Sequence, residues 1–214
     1  MKKCVTGSVV ALGTASAIFV GGCGSAETAP NRDTLQQPFD EMVGYWRSLG
    51  VTGREVELQT VTDGSVSCGS KTITNNSISP ATYCAESDSE PGKIFISDLA
   101  YEREEGLAKA KGISAEAIGA AVIGHELGHY VVNVEGSGPP NELEADCLDG
   151  AVIHATAPKL GTEAAVFLYS IGSDGHGTGD ERKAAFENGF NKGVFGCSVV
   201  LGAMLDIREL ASVR

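Results

Sequence analysis

Basic side chains are scarce in this chain. Only 16 Lys and Arg stand against 28 Asp and Glu in 214 residues, a formal charge of −12. That deficit argues against nucleic acid or an anionic membrane surface as a partner. Six cysteines are present but no C-x-x-C pair, which removes a zinc ribbon or cysteine cluster from consideration. Long apolar runs are missing too. The one candidate, residues 5–20, is interrupted by Gly7, Ser8, Gly13, Thr14 and Ser16 and makes a poor membrane span. What remains, 42% hydrophobic and 21% charged residues, is ordinary globular composition for one domain with a real core.

The N-terminus has its own character. Lys2 and Lys3 precede the small and apolar run, and no acid occurs before Glu27, the outline of an export signal. The run closes on Val20-Gly21-Gly22-Cys23, which resembles a bacterial lipobox. Residues 1–22 are therefore expected to be removed as a lipoprotein signal peptide, leaving Cys23 acylated at the cell membrane on its extracytoplasmic face. An ordinary signal cut near Ala26 or Ala29, discarding Cys23, is the competing reading. Processing leaves 14 basic against 28 acidic side chains, a charge of −14. Residues 23–38, rich in Gly, Ser, Ala, Thr and Pro, read as a tether, with the folded domain at 39–214. Cys68, Cys84, Cys147 and Cys197 remain, an even set that suggests disulfides in an exported chain and allows three connectivities.

Along the domain, Phe39, Met42, Val43, Trp46 and Leu49 have helical spacing, and residues 54–62 read as a strand ended by Asp63-Gly64. A hairpin-like region carrying Cys68 follows, then a polar loop over 74–80 leading to Tyr83-Cys84. Residues 93–97 are the strongest strand signal. That strand either forms the edge of a cleft, where an extended peptide could add to it, or is central and structural. Residues 101–111 read as a solvated helix. Ser114 then caps a helix in which Ile118, Val122, His125, His129 and Val132 share a side, kept thin by Ala120, Ala121, Gly124 and Gly128. Further helices are expected from Asn141 onward and over 162–171, 180–192 and 199–210, with His154 near a helix end before Pro158.

His125-Glu126-Leu127-Gly128-His129 is the H-E-x-x-H zinc signature. Two imidazoles four apart can face one ion, and Glu126, about 100° round the helix, can reach a water there. Catalytic zinc sites usually have three protein ligands. Glu142 and Asp146, four apart on the next helix, supply a carboxylate for the metal and one to hydrogen-bond a ligand histidine. The assignment is Glu142 to zinc and Asp146 to His125, with Glu144 left as an acid stabilised by the helix dipole, a role Glu142 could also fill.

These residues together with Glu142-Leu143-Glu144-Ala145-Asp146-Cys147-Leu148-Asp149-Gly150 resemble the bacterial neutral zinc metallopeptidase family, of gluzincin type. The resemblance runs from about residue 39 to 197 and includes Cys68-Gly69, Pro80-Ala81-Thr82-Tyr83-Cys84 and His176-Gly177-Thr178 to Arg182. It implies Cys68–Cys84 and Cys147–Cys197 disulfides. It also implies an α+β, zincin-like fold: a small antiparallel or mixed sheet packed on the H-E-x-x-H helix, with a mainly helical C-terminal half. Three departures stand out: Asp149 in place of a small residue, Ala85 to Asp88 after Tyr83-Cys84, and Gly179-Asp180-Glu181 before Arg182.

The implied activity is peptide-bond hydrolysis, endopeptidase rather than exopeptidase, of a peptide or protein substrate. One Zn2+ ion would bind His125, His129 and Glu142, with Glu126 as general base. A donor for the oxyanion is needed. His176 is the first candidate and Tyr83 the second; the competing reading of His176 is a loop-anchoring or capping histidine. The alternative is an inactive or weakly active lipoprotein that keeps the scaffold as a binding or regulatory module. An intact Glu126 favours the enzyme.

Overall fold

The computed structural model describes residues 32–51, 55–85, 92–135, 141–172 and 175–197. The expected signal peptide, the acylated Cys23 and the helix over 199–210 lie outside these. The first helix, α1 (Arg32–Ser48), starts seven residues before Phe39 and carries Pro38 inside it. Leu35 explains the difference. It extends the stripe of Phe39, Met42, Val43 and Trp46 by one turn, and all five are buried. Burial of that stripe outweighs the backbone hydrogen bond lost at Pro38. Residues 32–38, expected as tether, are therefore helical.

Strand β1 (Val56–Val61) is followed by a hairpin of β2 (Ser65–Cys68) and β3 (Lys71–Thr74), then β4 (Ala81–Cys84) and β5 (Gly92–Ser97). The main sheet has order β1-β5-β4 and is mixed: β5 pairs parallel with β1 and antiparallel with β4. Thus β5 is central, and the reading that made it a cleft edge gives way. Its composition shows why. Ile94 and Ile96 join the main core on one face, while Phe95 packs with Val61, Ile73 and Cys84 on the other, so both faces are covered from Ile94 to Ser97. The edges are β1 and β4; β4 is four residues with no alternation of burial, in the stretch that the sequence presents as the approach to Cys84.

Helix α2 (Asp98–Lys109) follows β5 directly. The buried α3 (Ala115–Val134) then begins at Ser114, whose side chain accepts the N–H of Ala117. Next come α4 (Glu142–Thr156), α5 (Gly161–Ser170) and α6 (Gly179–Lys192), with a short 3-10 turn over Pro158–Leu160 and another over Gly193–Gly196. The chain is thus α+β, with a small mixed sheet and mostly helical content.

Helix α4 lies between α3 and α6 at very close range. A methyl group at Gly128 of α3 would stand 2.6 Å from the carbonyl oxygen of Ala145 in α4. Gly189 of α6 lies against the carbonyl of Cys147 in the same way. Disulfides join Cys68 to Cys84 and Cys147 to Cys197. The first ties the hairpin to β4, and the second ties α4 to the segment that follows α6.

Candidate metal centre

The site is assembled from three helices and one strand. On α3, His125 and His129 are one turn apart, with ring centroids 4.7 Å from each other and planes nearly perpendicular. Both Nε2 atoms turn toward the first turn of α4, where Asn141 caps the helix by accepting the N–H groups of Leu143 and Glu144. That cap fixes Glu142. Its Oε2 lies 3.1 Å from Nε2 of His125 and 3.3 Å from Nε2 of His129.

These spacings fit a metal ion. Ligands at 2.0–2.1 Å in tetrahedral array are separated by about 3.3 Å. The electrostatics agree. A carboxylate oxygen facing two imidazole nitrogens needs a bridging hydrogen on each nitrogen or a shared cation. His125, His129 and Glu142 therefore form a group that could hold a metal ion.

No family model, curated protein or solved structure matches the chain. The site has to be read from its own geometry.

One turn beyond Glu142, Asp146 is wholly buried and accepts a hydrogen bond from His125 Nδ1 at 2.8 Å. This fixes the Nδ1–H tautomer and leaves the Nε2 lone pair for a ligand position. Arg182 of α6, only 3% exposed, then grips both oxygens of Asp146, with Nε donating to Oδ2 at 2.8 Å and Nη2 to Oδ1 at 2.7 Å. The close contact at Gly189 brings α6 near enough for this reach. Sequence reasoning assigned Asp146 to His125 but gave Arg182 no role. The available signal was its place in the His176-to-Arg182 segment, but no sequence pattern links it to a carboxylate 36 residues away.

Charge balance follows from these contacts. Burial opposes a charge on His125, yet the carboxylates of Asp146 and Glu142 on its two nitrogens overcome this and hold its pKa up at about 10 without a metal. Burial likewise opposes ionisation of Asp146, but the bonds from Arg182 and His125 prevail and keep its carboxyl below the usual range. Glu142 is depressed against its own desolvation by His125 and His129. The site thus draws positive charge, which a proton supplies when no metal does.

Glu126, mostly buried, points its Oε2 at the main-chain N–H of Tyr83 on β4, 2.5 Å away. Tyr83 reaches the site through its backbone. Its ring packs over Gly92 and edge-on to Tyr130, with centroids 6.1 Å apart. His176 comes to the mouth of the site, Nε2 3.8 Å from Oε2 of Glu142 and its side chain 46% exposed. Glu144 is buried beside the site outside the three-residue group. His154 stays away, in the last turn of α4 and edge-on to Phe190. One residue beyond the expected set is notable. Asp149 is wholly buried in the space left by Gly124, with no hydrogen-bond partner for either oxygen among the described residues, and burial pushes its carboxyl well up.

Proposed function

We propose that the chain is a zinc-dependent metallopeptidase of zincin-like fold. The carrying observation is that His125 Nε2 and His129 Nε2 of α3 and Glu142 Oε2 of α4 lie close enough to share one ion, with Glu126 next to His125 on α3. Two imidazoles and one carboxylate are a donor set that suits zinc and leaves a position open. When bound, zinc supplies Lewis acidity toward a carbonyl and lowers the pKa of water. Glu126 takes the proton of the attacking water and delivers it to the leaving amine. Asp146 and Arg182 orient His125, and His176 at the mouth donates to the developing oxyanion.

With β5 central, the edge strand that borders the metal centre is β4, through Tyr83. Two disulfides support an extracytoplasmic address, and the lipobox-like run before Cys23 supports acylation there as the membrane anchor. The mass of membrane-extracted protein tests the anchor, because an unmodified N-terminus after Cys23 is incompatible with it.

The decisive experiment compares wild type with Glu126→Gln on a diverse peptide library, with zinc content measured in both. Equal zinc and cleavage by wild type alone support the enzyme. Equal inertness with zinc bound removes it and leaves a metal-binding lipoprotein.

A further inference from the structure

Edge strand β4 is tied to the Glu126 carboxylate of α3 by a hydrogen bond from the Tyr83 amide, and its register shows what that bond is for. Ser97 N donates to Pro80 O at 2.9 Å, and the antiparallel pairs are Ala81 with Ile96, Thr82 with Phe95, Tyr83 with Ile94 and Cys84 with Lys93. Residues 80, 82 and 84 therefore turn their main-chain groups toward β5, while 81 and 83 turn theirs away. The outward carbonyl of Ala81 accepts the Ser79 hydroxyl. The outward N–H of Tyr83 meets Glu126 Oε2. Neither group serves the ladder.

We propose that the main-chain amide of Tyr83 is a positioning group that holds the Glu126 carboxylate in one orientation, so that Oε1 is the oxygen left to take the proton. The reasoning is conformational. The terminal torsion of a glutamate is broad and roughly two-fold, so an unanchored carboxylate samples many orientations. An amide in a paired strand is a fixed donor. This strand is fixed further by the Cys84–Cys68 disulfide at the next residue and by the Tyr83 ring against Gly92 and Tyr130. Edge strand and general base are thereby built as one unit, and displacement of the strand misaligns the base.

The catalytic part of this inference rests on the peptidase reading; the contact itself does not. The test uses two variants of the full chain. Replacing the 82–83 amide by an ester, through the α-hydroxy analogue of tyrosine at position 83, deletes the N–H and keeps the side chain. Tyr83→Pro also deletes it, and proline is tolerated where an edge N–H faces away from the ladder; its reference is Tyr83→Ala, which lacks the ring but retains the amide.

Each is measured in the wild-type and Glu126→Ala backgrounds, which subtracts any effect of the ester on the Thr82 carbonyl. The expected result is a thermal midpoint lowered by roughly 3–6 °C more in the wild-type background than in Glu126→Ala. With zinc loaded, kcat falls roughly tenfold to a hundredfold while KM stays within about twofold and zinc content is unchanged. Equal midpoint losses in both backgrounds, or an ester variant with wild-type kcat, overturn the proposal. A chain inert toward every peptide overturns the peptidase reading instead, and the midpoint comparison still decides whether the amide holds Glu126.

Discussion

Arg182 holds both oxygens of Asp146 through Nε and Nη2, at 2.8 and 2.7 Å, in a setting where neither residue meets solvent appreciably. The fork geometry of the guanidinium matches a carboxylate in a way a point charge cannot. Asp146 in turn holds His125, so one α6 residue reaches the ligand set through a chain of two contacts.

Arg182→Met therefore leaves a buried carboxylate without its main partner. The expected loss is about 3–5 kcal/mol in urea unfolding, with metal affinity reduced roughly 10- to 100-fold in a chelator competition. Arg182→Lys, which restores charge without the fork, falls between. Unchanged metal affinity in a folded Arg182→Met protein would separate α6 from the site.

Stability of the metal-free protein should depend on pH in two directions. His125, with its folded pKa raised to about 10, contributes fully below about 6.5 and loses that contribution as pH rises toward 10. Glu142 and Asp146, both depressed, contribute above about 4 and lose it as pH falls through their folded values. Thermal midpoints of metal-free protein are expected to decline from pH 6.5 to 10. Added zinc replaces the proton and flattens that limb. A metal-free alkaline limb as flat as the zinc-loaded one would count against this account of His125.

Asp149 shows the opposite sign from its neighbour Asp146. Its raised folded pKa means that the folded state binds more protons than the unfolded one above about pH 4, so the residue weakens the fold as pH rises. Asp149→Asn keeps the shape without an ionisable group. It should gain stability over wild type between pH 4 and 7, with the difference shrinking toward acid pH, as measured by denaturant midpoints. A difference independent of pH would assign the effect to packing alone.

Gly128→Ala places a methyl 2.6 Å from the Ala145 carbonyl, against backbone that cannot turn aside. Separating α3 from α4 moves His129 and Glu142 apart. The expected cost is about 1–3 kcal/mol together with loss of stoichiometric zinc by elemental analysis. A variant with full zinc content would show that the two helices have slack.

Local rules determined much of this protein from the sequence alone. The stripe from Phe39 to Trp46, the Ser114 cap and the four-residue spacing of His125 and His129 depend on helix geometry within a few residues, so they were legible as pattern. Glu142 and Asp146 were legible because the same spacing recurs at a helix start marked by Asn141. Cys68–Cys84 and Cys147–Cys197, by contrast, came from the family pattern and not from spacing.

Tertiary structure decided the rest. Whether β5 was central or at an edge depended on partners on both sides, since an apolar run of three residues, Ile94 to Ile96, is compatible with either. Strand β4 is too short to announce itself and exists because β5 pairs with it. Pro38 sits inside a helix because Leu35 is buried. Arg182 meets Asp146, and Asp149 fills the space at Gly124, only because glycines let α3, α4 and α6 approach until backbones touch. Contacts of that kind join residues far apart in the chain, and no periodicity records them.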